Sequence, residues 1–122
     1  MTDSKLRIDE RNIAAVTLLT LVGEITLDDG DLAFGRRIND LVAGGRVQIL
    51  VDLDAVTAID SSGVGMMAAK LKEVRKHGGD IRLLRLNARG QRVLAVLKLR
   101  TVFEVFDDED VALRSYEFRP HG

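Results

Sequence analysis

Apolar and polar positions change their spacing several times along the chain, and each change predicts a new element. Leu6 to Glu10 alternates, the pattern of a half-buried edge strand. A short Arg11-Asn12 turn separates it from the β-rich run Ile13 to Val22, so the two are expected to pair as a hairpin. Gly23-Glu24-Ile25-Thr26 ends the second strand. A helical pattern follows, with Leu32, Phe34, Ile38, Leu41 and Val42 on its apolar side, and Gly44-Gly45 stops it as glycine does just past a helix end. Val47 to Leu53 is almost continuously apolar, which predicts a central strand covered on both faces.

A turn through Asp54 to Ile59 then leads into Asp60-Ser61-Ser62-Gly63-Val64-Gly65, the opening of a helix expected to run to about His77. Val64, Met67, Ala68, Leu71 and Val74 recur on it at spacings of three and four, one core-facing stripe. Gly78-Gly79 repeats the stop. Ile81 to Leu86 predicts another strand. Ala88 to Leu97 predicts a third helix, carrying Val93, Leu94, Val96 and Leu97. A short last strand is expected over Thr101 to Phe106, then a C-terminal helix with Val111, Leu113 and Tyr116 inward, and a tail over residues 118–122. Alternating strands and helices behind a hairpin predict one α/β domain with a mixed sheet, spanning residues 1–122 with its core over about 6–117.

Composition narrows the function classes. An apolar fraction of 46% is that of a folded protein. Eighteen basic and nineteen acidic residues nearly cancel, and aromatics are scarce, so neither a basic footprint nor a base-stacking platform for nucleic acid is expected. There is no cysteine, hence no disulfide, thiol nucleophile or cysteine metal site. The first residues lack the apolar core of a signal peptide, and the longest apolar run falls short of the roughly 18 residues of a membrane span. A cytoplasmic domain, monomeric or weakly dimeric, is the expectation.

The chemistry concentrates at the turn from Asp60 to Gly65. A helix start exposes unpaired N–H groups and partial positive charge, which favour an anion there. A serine hydrolase is not supported: the nucleophile elbow needs Gly two residues before the Ser, His77 lies about 20 Å along the same helix, and His121 is in the tail. Gly63-Val64-Gly65-Met66-Met67-Ala68 fits G-x-G-x-x-A, but no acid ends the following strand as a dinucleotide site requires. Met66 and Met67 read as neighbouring surface and helix core. Gly65 is followed by Met66 rather than lysine, so there is no P-loop. Asp52, Asp54 and Asp60 are the best carboxylate cluster, and such acids more often cap turns and helices than hold Mg²⁺. Asp28, Asp29 and Asp31 are read as a capped first turn, since their spacing does not match a calcium loop. What remains is a serine that another protein's kinase can modify, or one that only caps the helix. Composition leaves both open.

Ile59-Asp60-Ser61-Ser62-Gly63-Val64-Gly65 resembles the D-S-S-G-[LV]-G phosphorylation motif of the STAS-domain family, in particular of bacterial anti-sigma-factor antagonists. Val51-Asp52-Leu53, Gly78-Gly79-Asp80 and Leu99-Arg100-Thr101-Val102-Phe103 fall where that family has similar segments. The resemblance implies a mixed sheet flanked by four helices, with the motif opening the second. It implies a phosphorylated serine at Ser62, with Ser61 as the alternative, and a partner surface of Thr26, Asp60, Ser61, Ser62, Gly63, Val64, Gly65 and Met66. The implied partners are an anti-sigma factor serine kinase, which supplies its own ATP and Mg²⁺, and a serine phosphatase. No cofactor and no catalytic residue are expected on this chain. A STAS subunit of a lipid-transport ABC complex or of a stressosome-like scaffold is the alternative. One departure stands out: the family's G-E-L-D turn is Gly23-Glu24-Ile25-Thr26 here, with Asp28 or Asp29 as the substitute acid.

Overall fold

The hairpin predicted for the N-terminus is present, but longer than its pattern suggested. The computed structural model describes residues 5–117, and the expected tail at 118–122 lies outside them. Strand β1 (Leu6–Ile13) pairs antiparallel with β2 (Val16–Ile25), joining Leu6 to Gly23 at one end and Ile13 to Val16 at the other. The turn is therefore at Ala14-Ala15, with Ala14 at φ +54°, and not at Arg11-Asn12. Arg11 and Asn12 are polar because they lie on an exposed edge strand. Two alanines carry none of the Gly, Asn or Asp signal of a tight turn.

Helix α1 (Gly30–Ala43) follows, then β3 (Gln48–Ile59), α2 (Ser61–Lys76), β4 (Asp80–Leu84), α3 (Ala88–Val96), β5 (Val105–Phe106) and α4 (Glu109–Arg114). The sheet runs β1-β2-β3-β4-β5, antiparallel at the hairpin and parallel thereafter. Three successive crossovers in one direction put α1, α2 and α3 on the same face. Side-chain alternation divides the core accordingly. Leu19, Ile49, Val51, Ile81 and Leu83 meet Phe34, Ile38, Met67, Leu71 and Leu94 from those helices. Leu18, Leu50 and Leu84 face the other way and meet Ala112 of α4. The two covered faces expected of β3 are thus filled by unequal layers, and the smaller one admits Asp52, paired with Arg85 at 2.9 Å.

Several expected core positions lie elsewhere. Leu32 is exposed because it is two residues, more than half a turn, from Phe34, while Phe34, Ile38 and Leu41 keep the inward stripe. On α3 only Gly90 and Leu94 are buried, which leaves Val96 80% exposed. On α4 the inward residue is Ala112, and Val111 is exposed. The last strand contracts to two residues because the chain before it coils through turns, with Leu99 N–H bonded to Leu94 O and Val102 N–H to Leu99 O.

The C-terminal segment is fastened by Tyr116. Its hydroxyl reaches Ile49 O at 2.5 Å and Asp80 O at 3.0 Å, bridging β3 and β4, and Arg82 stacks 4.1 Å from its ring centre. Arg82 is itself buried, held by Asp80, Glu104 and Ser115. Burial pushes the Tyr116 phenol far above its ordinary value of about 10. The folded state therefore keeps the proton where the unfolded chain would release it. Tyr116 should stabilise the fold fully below pH about 10 and progressively less above it. Tyr116→Phe should cost about 1–2 kcal/mol at neutral pH. It should also flatten the alkaline loss of stability, both readable in urea titrations at pH 7 and above pH 10.

Candidate functional site

Asp60 builds the start of α2. Its backbone is extended, and its Oδ1 accepts from Gly63 N–H at 2.9 Å, the ordinary N-cap bond. Its Oδ2 accepts from Leu27 N–H at 3.1 Å, and its own N–H donates to Ile25 O at 3.4 Å. One carboxylate therefore caps the helix and ties it to the segment leaving β2. Gly63 completes the joint: a Cβ there would lie 2.1 Å from Ile25 O. The close approach is possible only because the side chain is absent. Asp60→Ala should cost about 2 kcal/mol, the cap and the Leu27 link together, whereas Asp60→Asn should keep the cap bond and recover about half of it. Thermal melts of the two variants read this directly.

The cap being Asp60, neither serine is used for that purpose. Ser61 is exposed and Ser62 half-buried, and among the described residues neither hydroxyl has a hydrogen-bond partner. No acid sits in the first turn of α2, so the positive end of its dipole is uncompensated except by the cap. The reading in which Ser61 or Ser62 merely caps the helix is thereby removed. Val64 is buried in the core, Met66 lies across Gly35 of α1, and Gly65 is exposed with nothing within 4 Å of where a Cβ would stand.

Thr26 is half-buried and its carbonyl accepts from Asp31 N–H at 3.1 Å, so it serves the entry to α1. Of the acids beyond it, Asp31 does stand in the first turn of α1, its Oδ1 accepting from Leu32 N–H at 2.7 Å. Asp29 stands at the N-cap position without a side-chain cap bond and accepts instead from Lys5 N–H at 2.8 Å. Asp28, at φ +68°, is exposed, and among the described residues its side chain has no partner. Sequence reasoning passed over Leu27, which is 61% exposed beside the Asp60 link, and set Leu32 on the inward side of α1, where it is instead 42% exposed one turn ahead of Gly35. For Leu27, a leucine in a loop just ahead of the acidic run Asp28-Asp29 was the available signal.

The other chemistries find no geometry. His77 closes the far end of α2, its Nδ1 3.0 Å from Glu73 O, and His121 lies outside the described residues. Asp52 is engaged with Arg85 and with Asp54 N–H, while Asp60 caps α2, so the three carboxylates do not converge. Among the described residues no three acids or histidines group as metal ligands, and no helix is long and apolar enough to cross a membrane.

With a capped serine turn on a mixed sheet of this order, comparison with known proteins becomes decisive. The family model for the STAS domain matches residues 7–112. The chain belongs to the STAS-domain family. A Thermotoga neapolitana protein named as an anti-sigma factor antagonist is 28% identical over 104 residues, 85% of this chain and 92% of that protein. The crystal structure of an anti-sigma factor antagonist from Mycobacterium paratuberculosis superposes with a TM-score of 0.81 at 21% identity, covering 93% of this chain and 95% of its own. The unphosphorylated antagonist SpoIIAA matches with a TM-score of 0.77 at 18% identity, over 89% of this chain and 95% of its own. The phosphorylated form of the Bacillus protein matches at 0.69, again with 18% identity, over 90% and 97%. The mixed sheet flanked by four helices that the resemblance implied is present, with five strands, and matches the STAS structures.

Proposed function

We propose that this STAS domain is an anti-sigma-factor antagonist switched by phosphorylation of Ser62. The observation that carries the proposal is a hydroxyl that has no partner among the described residues, at the first turn of a helix already capped by Asp60, in a chain with a relative named as an antagonist. The unphosphorylated domain binds an anti-sigma factor serine kinase and so frees a sigma factor. The kinase contributes ATP and Mg²⁺ and transfers the phosphate to Ser62 Oγ, and a serine phosphatase reverses the step. Exposed Leu27 and Leu32 supply the apolar part of the contact beside Ser61, Gly65 and Met66. A phosphate adds about −1.5 to −2 charges and three acceptor oxygens, placed where a helix N-terminus tolerates them. Its effect therefore falls on the partner and not on the fold.

The test is incubation of the purified domain with the serine-kinase anti-sigma factor of its own genome and Mg-ATP, followed by intact-mass analysis and fragmentation across residues 60–65. One phosphate on Ser62, lost in Ser62→Ala, is the expected result. A phosphate on Ser61 would move the switch by one residue. No modification, with a complex that ATP leaves intact, would overturn the switch and leave a fixed contact.

A further inference from the structure

The near balance of charge along the chain conceals its segregation. Residues 70–102 contain ten lysines and arginines against two acids, although the whole chain carries a net charge of −1. Part of this excess frames a groove of about 580 Å³ between the C-terminal half of α2 and the coil after α3. Its floor is apolar: Ala68 and Leu71 from α2, Leu99 and Val102 from the coil. Leu71 is buried and the other three are half-buried, so the apolar surface is recessed. Its wall is cationic. Arg75 is fixed there by Asp80 at 3.0 Å and by Val102 O at 3.1 Å. Lys72 and Lys76 stand one turn apart on the same wall, and among the described residues neither has an acidic partner.

We propose that this groove is a second docking surface, and that its occupant is an acidic amphipathic helix of a partner protein. Recessed leucine and valine beside this lysine wall match a helix that lays apolar anchors at i, i+4 and i+7 into the floor and turns aspartates or glutamates toward that wall. Charge complementarity selects the sign of the occupant, since a basic or neutral helix would leave Lys72 and Lys76 facing like charge or nothing. Nucleic acid fits less well: the wall can meet phosphates, but the recessed apolar floor would be left uncovered and the groove has no aromatic ring on which a base can stack. A bilayer surface is flat, and the apolar residues here are sunk below the lysines. The groove lies some 10–20 Å along α2 from Ser62, far enough for both ends of one helix to be engaged together. The proposal does not depend on the phosphate switch.

The experiment uses the isotope-labelled domain and a synthetic helix with leucine at i, i+4 and i+7 and glutamate at most other positions. Its controls are a scrambled peptide of the same composition, vesicles of phosphatidylcholine with phosphatidylglycerol, and a short DNA duplex. Binding about tenfold tighter than the scramble, with shifts at Ala68, Leu71, Leu99 and Val102, is expected. Lys72→Glu with Lys76→Glu should weaken it by at least that factor, and Ser62→Asp should leave it unchanged. Lys72→Gln with Lys76→Gln, gentler on the last turn of α2, should give an intermediate loss and guards against misfolding as the cause. Equal binding of the scramble, shifts confined to other surfaces, or tighter binding of vesicles or DNA at this face would overturn the proposal.

Discussion

Ser62→Asp should abolish measurable association with the anti-sigma factor kinase, weakening it by about 100-fold or more, while the domain melts within a few degrees of the parent. The two halves of this expectation come from different parts of the same turn. Stability is indifferent because Ser62 makes no bond that the substitution breaks, and the new carboxylate lies at the positive end of α2. Surface substitutions of this kind, which break no bond, change stability by about 0.5 kcal/mol either way. Binding is sensitive because half-buried Ser62 shares the start of α2 with exposed Ser61 and Gly65, and Asp60 ties exposed Leu27 to the same turn. A charge forced into a desolvated contact costs several kcal/mol unless it is met. Calorimetry with the purified kinase and a thermal melt of the free domain separate the effects. Ser62→Ala should bind like the parent and resist switching. A complex that tolerated Ser62→Asp, or a domain that lost its fold, would contradict the role assigned to this serine.

The departure at Thr26 bears on this site. In the resembling family an acid stands here; in this chain Thr26 sends its carbonyl to Asp31 N–H, and Asp29 is engaged with Lys5. Asp28 is the one acid of the segment 28–31 that is both exposed and without a side-chain partner among the described residues. If an acid from this loop assists the partner, Asp28 is the residue to provide it.

The motif helix was legible in sequence because three local signals agree over Asp60 to Lys76: a capping acid, glycines at the turn, and a single apolar stripe. Elements decided by pairing were less so. Asp54 to Ile59 contains exposed Asp54, Ala55 and Thr57 and reads as a turn, yet it continues β3 because Val22 to Ile25 of β2 pair alongside it as far as Ile25 with Ile59. Two register shifts along that pairing bend the strands so that Ile25 ends beside Asp60. The neighbouring strand, not local composition, supplies the order. Leu27 and Leu32 were missed for the complementary reason. A leucine tells of burial only when its helical phase or strand alternation agrees, and here neither does. Net charge was equally silent, since a sum cannot show that residues 70–102 hold most of the positive side.

Two glycines of the motif, two residues apart, should respond to alanine in opposite directions. At Gly63 the new Cβ meets Ile25 O at 2.1 Å and the Ile25 side chain at 2.9 Å. The first contact is backbone, so relief requires β2 and α2 to separate, and that would stretch the Leu27 N–H bond to the Asp60 carboxylate and the Asp60 N–H bond to Ile25 O. Overpacking of this kind costs about 3 kcal/mol or more, a large part of the roughly 5–15 kcal/mol that holds a domain folded. At Gly65 the Cβ enters open space, and replacing a helical glycine stabilises by up to about 1 kcal/mol. Urea titration should therefore place Gly63→Ala and Gly65→Ala about 4 kcal/mol apart, on either side of the parent. The fold accounts for Gly63 alone. The fold gains nothing from glycine at position 65; under the proposed function its use is close approach by the partner, so the more stable Gly65→Ala should bind the kinase less well. An alanine there that stabilised the domain and left the complex untouched would remove Gly65 from the contact surface and confine the motif's second glycine to a neutral role.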